Sequence, residues 1–413
     1  MRRALFLSLV LLAAPSLFAI EIFPPLVDSH TGVRIAFLAA GCPPIAHVSV
    51  TGSTILLTST DEKPGFSCIA LRVPQPAVAN VGPLAPGVYT IETETGEHGQ
   101  LIVRDADSDI TVSPVGVSTS AKRIVQIFSD RLFDLNNVSV AFDGVPATVE
   151  SIIGQHTIVV TPPPHAAGTV DVTMTDIVGT EKAVAAFTYF DPAAPVDPQI
   201  FEPVLYPVAY NGPGVFGSQW QTQNEIGTGN TAVRFRDLQQ VSPCDGACGA
   251  LNWSGLLARQ SRSGLLVWTV RRRIPAGLDE IEDEFHVSSR IIESSHPDEV
   301  NTTLPVAREG DFRHKLVFSR IPVGPDARVT LRLYSLGVTA HGADVTVDRG
   351  GAITKQPVPL PDVNGVGFGM LDITPDSGRT VPTTVTVFSP DKIYGLITVT
   401  NNATQQITAF SPQ

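Results

Sequence analysis

Charge is scarce in this sequence. Of 413 residues only 16 % are Asp, Glu, Lys or Arg, and only 7 % are aromatic. A chain so poor in ions cannot lace long surface helices with ion pairs at i, i+4. The best helical stretch, Leu278 to Phe285, is short and acidic. Basic residues are scarcer than acidic ones, 28 against 40, for a net charge of −12. That field repels a phosphate backbone and argues against nucleic acid as a partner. After the first residues, no apolar run approaches the roughly 20 residues of a membrane-spanning helix. GxSxG, HExxH and paired CxxC are also missing, and with them the commonest hydrolase and zinc-site signatures. His286, His296, His314 and His341 share one carboxylate-rich region. Their spacing builds no acid–base or metal constellation, so a non-enzyme is expected.

The chain does begin with Met1-Arg2-Arg3, an apolar run from Ala4 to Leu12 and a small-residue exit ending at Ala19. Basic, apolar and small regions in that order form a secretory signal peptide over residues 1–19. Its removal leaves the mature chain two charges more acidic and places it outside the cytoplasm, secreted, periplasmic or at the cell surface. Export makes disulfides permissible. Proximity in sequence pairs Cys42 with Cys68 and Cys244 with Cys248, although four cysteines allow three connectivities. A metal site on Cys244 and Cys248 is the alternative, but no His lies nearby.

Strand signals fill the rest. Val138 to Phe142, Val170 to Thr175 and Val329 to Tyr334 alternate apolar with polar residues, the period of a strand with one dry face. Gly and Pro, 34 each, punctuate these runs as turns: Asp143-Gly144, Pro162-Pro163-Pro164, Asn211-Gly212-Pro213-Gly214. The expectation is an all-β chain of three β-sandwich domains in series. The first, over 20–104, is a small immunoglobulin-like sandwich. The second covers 110–190. After a Pro-rich linker at 191–198, residues 200–413 are too many for one seven-stranded sandwich and suggest a larger, jelly-roll-like one.

The second segment carries a specific resemblance. It shows Ser113-Pro114, then a strand from Ile124 ending in Phe128, then Val138–Phe142 with Gly144-Val145-Pro146-Ala147. Thr157–Thr161 with Pro162-Pro163, Gly168-Thr169-Val170-Asp171-Val172, and Phe187-Thr188-Tyr189 complete the series. This pattern resembles an IPT/TIG domain, an immunoglobulin-like sandwich. The resemblance implies a fold and a surface context and transfers no catalytic residues. One departure is Ser118-Thr119-Ser120-Ala121, where the family has paired glycines.

Few residues invite chemistry. Gly212, Gly214 and Gly217 match GxGxxG, but Pro213 lies inside the motif and a strand comes next, so a turn is expected rather than a dinucleotide site. No cofactor is expected, with calcium the weaker alternative. Asp105, Asp107 and Asp109 alternate as in some calcium loops, yet positions six and twelve are Ile110 and Gly116 instead of Gly and Glu. The acidic run Asp279, Glu280, Glu282, Asp283, Glu284 is answered by Arg271-Arg272-Arg273. Trp268 lies in an apolar run and reads as core. Trp220 and Trp253 stand beside Gly-rich turns and are the candidates for stacking on a ligand, with core packing the favoured reading for each. These features point to a secreted or cell-surface binding, adhesion or scaffold protein with an extracellular protein or glycan partner. Carbohydrate binding by the C-terminal sandwich is the alternative, and a hydrolase site on His286 and His314 the third reading.

Overall fold

The computed structural model describes residues 20–39, 44–61, 75–119, 123–129, 137–191, 194, 197–214, 217–228, 231–235, 257–260, 264–273, 285–294, 301–324, 326–336, 342–363, 366–374 and 381–413. Nearly all of them lie in strands or the turns between strands, with a 3-10 turn at Glu309–Asp311. The all-β class read from the alternation is the class observed. Residues 1–19, where a signal peptide is expected, and all four cysteines, Cys42, Cys68, Cys244 and Cys248, lie outside the described residues, as does the acidic run 279–284.

The chain divides into two compact units, 1–103 and 104–413. In the first, a three-stranded sheet (Glu21–Phe23, Val33–Ala39, Gln75–Val81) faces a five-stranded one ordered Val27–Asp28, His98–Arg104, Gly87–Thr93, Thr54–Asp61, Pro44–Thr51. Alternate residues of both sheets, among them Ile35, Phe37, Ile55, Leu57, Ile91 and Leu101, form one buried core.

The second unit begins with the sandwich of residues 110–190. Ile110–Ser113, Val125–Ser129, Thr157–Thr161 and Thr148–Ile153 form one sheet. Gly116–Ser118, Thr180–Phe190, Gly168–Thr175, Ser139–Phe142 and Val145–Pro146 form the other. Asp143 and Gly144, at φ 47° and 76°, make the left-handed pair that a tight hairpin turn requires. Thr157–Thr161 stops at Pro162 because proline cannot donate to the ladder. Phe142, Phe187 and Tyr189 meet edge to face in the core, with centroids 4.9 Å (Phe142–Phe187) and 5.2 Å (Phe187–Tyr189) apart. The Tyr189 hydroxyl donates to the Pro163 carbonyl at 3.0 Å.

Within the unit, this sandwich is joined to the strands that begin at Phe201. The Val115 N–H donates to the Arg271 carbonyl (2.9 Å), and the Arg271 N–H to the Ile200 carbonyl (2.7 Å). Phe190 and Phe201 meet edge-on at 4.9 Å. The Arg271 side chain, buried, donates from Nε to the Pro198 carbonyl at 2.6 Å and from Nη1 to Glu309 Oε2 at 2.5 Å. Arg104, 1 % exposed, is pulled down to about 9 by burial and then by Arg273, against the opposing field of Asp197. Burial pushes the Asp197 and Glu202 carboxyls up. The junction is therefore a desolvated cluster of ions, the kind of site where every partner counts.

Beyond the junction, the 21-residue strand Val381–Asn401 organises an eight-stranded sheet. Its first half pairs with Arg313–Val323 and Ala343–Arg349, and its second half with Ala327–Ser335 and Ile407–Phe410. Leu316, Val345 and Val387 from one half share a core with Leu331, Leu333 and Ile397 from the other, so the long strand runs through both layers of this sandwich. From Ile393 to Val399 it is buried on both faces. Tyr394 and Leu396 turn into a second core with Leu205, Trp220, Leu266, Ile291 and Tyr334. The Tyr334 hydroxyl donates to the Pro207 carbonyl across those layers. Gly395 faces the first core. A Cβ there would sit 2.8 Å from Leu316 Cδ1 and 2.9 Å from Phe318 Cζ. Gly395→Ala is expected to overpack the core and to cost about 1–3 kcal/mol in denaturant unfolding; no change in midpoint would show that the layers are not closed there.

Candidate functional site

The structure separates the aromatics differently from the sequence reading. Trp220 is only 6 % exposed and packs in the second core. Its strand, Gln219–Thr228, pairs with Phe285–Glu293, placing Trp220 opposite Glu293, Thr222 opposite Ile291 and Asn224 opposite Ser289. All six side chains are buried. The Ser289 hydroxyl donates to Asn224 Oδ1 at 2.7 Å, and Glu293 Oε1 accepts the Gln219 N–H at 2.8 Å. The ligand-stacking candidacy of Trp220 is thus corrected in favour of core packing: its ring is buried, beside the Asn224–Ser289 and Glu293–Gln219 hydrogen bonds. Trp253 lies outside the described residues. Trp268 packs half-buried against the same core.

The GxGxxG stretch is a hairpin. Asn211–Pro213 pairs with the start of the Trp220 strand, and the Gly214 N–H donates to the Ser218 carbonyl at 2.7 Å. A Cβ on Gly214 would come within 2.5 Å of the Trp220 ring, so glycine is needed there for packing. His286 lies in the strand Phe285–Glu293, and His314 is exposed on Arg313–Val323. His296 and His341 lie outside the described residues. Among the described residues, no three His, Cys, Asp or Glu side chains are grouped to hold a metal ion. Asp105 Oδ1 caps its own turn by accepting the Asp107 N–H at 3.0 Å.

Among the described residues the most exposed aromatic is Phe388, at 57 %, ahead of Tyr210 at 44 % and Phe23 at 43 %. On Val381–Asn401, Val385 and Val387 point into the core, so Thr384, Thr386 and Phe388 belong to the outer face by period-two geometry. The register builds rows across four strands. Lys315, Phe388, Asp344 and Pro357 form one row, and Val317, Thr386, Thr346 and Lys355 the next. Thr384, Asp348 and Ile353 form a third, with Ile353 59 % exposed. Neighbouring strands are about 4.8 Å apart, so the result is a continuous platform with an aromatic ring between a cation and an anion, bordered by hydroxyls. Its backbone is fixed by ladder hydrogen bonds on a closed core, so little ordering is needed when something docks. The sequence reading missed Phe388. The signal was the run Thr384-Val385-Thr386-Val387-Phe388, whose parity puts the ring with the threonines.

Residues 110–189 match the family model described as the IPT/TIG domain. No curated protein sequence matches the chain. Among solved structures, the chain is similar to the SGBP-B protein of the Bacteroides ovatus mixed-linkage glucan utilization locus, solved in complex with a mixed-linkage heptasaccharide. The identity is 12 %, with 89 % of this chain and 99 % of that one covered and a TM-score of 0.20. SGBP-B from a complex xyloglucan utilization locus in Bacteroides uniformis matches at 8 % identity over 91 % and 98 % of the two chains, TM-score 0.18. The plexin A4 extracellular region matches at 12 % identity over 91 % of this chain and 29 % of that one, TM-score 0.19. At such TM-scores none of the three superposes on the chain as a whole.

Proposed function

We propose that this chain, with its IPT/TIG domain at 110–189, is a non-catalytic binding protein of the cell surface or extracellular space, an adhesion or scaffold module. The observation that carries this reading is the platform around Phe388. A large apolar ring held in solvent on a rigid sheet, within a patch of mixed polarity, has the composition of a recognition surface. Interface energy concentrates in such anchors. The exported location rests on the leader sequence.

A second reading is that the partner is a glycan. The face of an aromatic ring matches the apolar face of a sugar, while Thr384, Thr386, Asp344 and the two lysines supply donors and acceptors for hydroxyls. One array carrying both polysaccharides and extracellular proteins tests both readings. Wild-type chain should be retained by at least one spot, and Phe388→Ala should weaken that retention about tenfold, equivalent to about 1.4 kcal/mol. Because the ring is exposed, the variant's unfolding free energy should stay within about 0.5 kcal/mol of wild type. The chemistry of the retaining spot decides between protein and glycan. Retention that is indifferent to Phe388→Ala would remove the platform as the binding surface.

A further inference from the structure

On the C-terminal strands lies a cleft of about 170 Å³, separate from the platform, whose lining includes Asp311, Arg313, Tyr394, Ser411, Pro305 and Pro412. At about 30 Å³ per molecule of liquid water, it has room for roughly six waters. A ligand of that size is one small ring, well short of an extended chain. Three of the lining groups have unused hydrogen-bonding capacity. Tyr394 is 3 % exposed, and its buried hydroxyl makes no hydrogen bond of ordinary geometry, only a weaker contact with the Ser411 side chain. Asp311 spends Oδ2 on the Arg308 N–H at 2.8 Å, which leaves Oδ1. Arg313, exposed on the strand Arg313–Val323, carries up to five donors in a planar fork. Burial pushes the Tyr394 phenol up, against a smaller opposing pull from Ser411, so it stays a neutral donor.

The chemistry selects the occupant. A carboxylate ligand would meet Asp311, and an ammonium would meet Arg313, so a singly charged molecule gains one contact and suffers one repulsion. A neutral ligand with several hydroxyls can accept from Arg313 and Tyr394 and donate to Asp311 at once. Its C–H face can lie on the proline rings. A buried hydroxyl left unmade is costly, and satisfying it favours the bound state. We propose that this cleft binds a single neutral sugar ring. The ligand class comes from the cleft's own groups, and the site is independent of the platform around Phe388.

Saturation-transfer NMR on the full chain tests the assignment, with free glucose, galactose, mannose and xylose as probes. Glucuronate and glucosamine serve as charged counterparts, and glutamine as a zwitterion. At least one neutral sugar should bind, in preference to the charged sugars and to glutamine. Asp311→Asn and Arg313→Met should each weaken it about fivefold, with the thermal midpoint unchanged. Met370→Ser, on an exposed residue not lining the cleft, should bind as wild type. Tyr394→Phe removes a buried hydroxyl whose contact with Ser411 is weak, so it should weaken the sugar without lowering the thermal midpoint, whereas a structural role for that hydroxyl would lower it. No binding of any neutral sugar, binding that survives all three cleft variants, or a preference for glutamine or a charged sugar would overturn the proposal. Because the probes are free monosaccharides, their binding is read apart from retention on the Phe388 platform.

Discussion

Phe187→Ala is expected to destabilise the second unit by about 3–5 kcal/mol, the range for truncating a fully buried aromatic. Phe187 is 0 % exposed and touches Phe142 and Tyr189 in T-shaped geometry. It therefore loses both transferred area and oriented ring contacts, each pair worth about 0.5–1.5 kcal/mol beyond burial. The sandwich of 110–190 closes on this trio together with Val172 and Met174, and partial collapse of the ring-sized space is all that offsets the loss. Chemical unfolding followed by tyrosine fluorescence should show a lower midpoint with an unchanged slope. A loss below about 1 kcal/mol would mean that the aromatic trio is not the centre of this core.

Arg271→Ala should cost about 3 kcal/mol, because it removes one partner from a buried ionic cluster and leaves the other uncompensated. The lost contacts are the donations to the Pro198 carbonyl and to Glu309. The partly solvent-exposed Glu309 keeps the effect below that of a fully buried pair. The backbone of Arg271 would still bridge Val115 and Ile200. Arg271→Lys should fall between wild type and Ala, since an ammonium supplies charge but no planar fork. Differential scanning calorimetry of the three proteins checks the order. Equal midpoints for Arg271→Ala and wild type would show that the junction is held by backbone and by Phe190–Phe201 packing alone.

Much of the fold could be read from the sequence because its strands obey period two with one dry face. Val170 to Thr175 and the closing Phe187-Thr188-Tyr189 put every core residue where alternation places it. The Asp143-Gly144 turn is specified by the residue pair that accepts positive φ. The ligand-contact candidacy failed at Trp220 for a physical reason. Gln219-Trp220-Gln221-Thr222-Gln223-Asn224 is polar on both faces, and its inner face makes the Asn224–Ser289 and Glu293–Gln219 hydrogen bonds. Hydrophobic periodicity cannot see a buried face made of polar groups. Phe388 could be found by parity, but only once the valines beside it were known to face inward. The cleft had no local signal, because its lining comes from segments near 305, 312, 394 and 412 that only the folded sheet unites.

Hydroxyl-radical footprinting of the full chain, with and without the molecule that retains it on the array, bears most directly on the claim that recognition occurs on the outer sheet face. Phe388 and Ile353 should label strongly in the free protein and become protected in the complex, while Trp220 stays unlabelled in both. Heavy labelling of Trp220 in the free chain, or protection that leaves Phe388 untouched, would contradict the account.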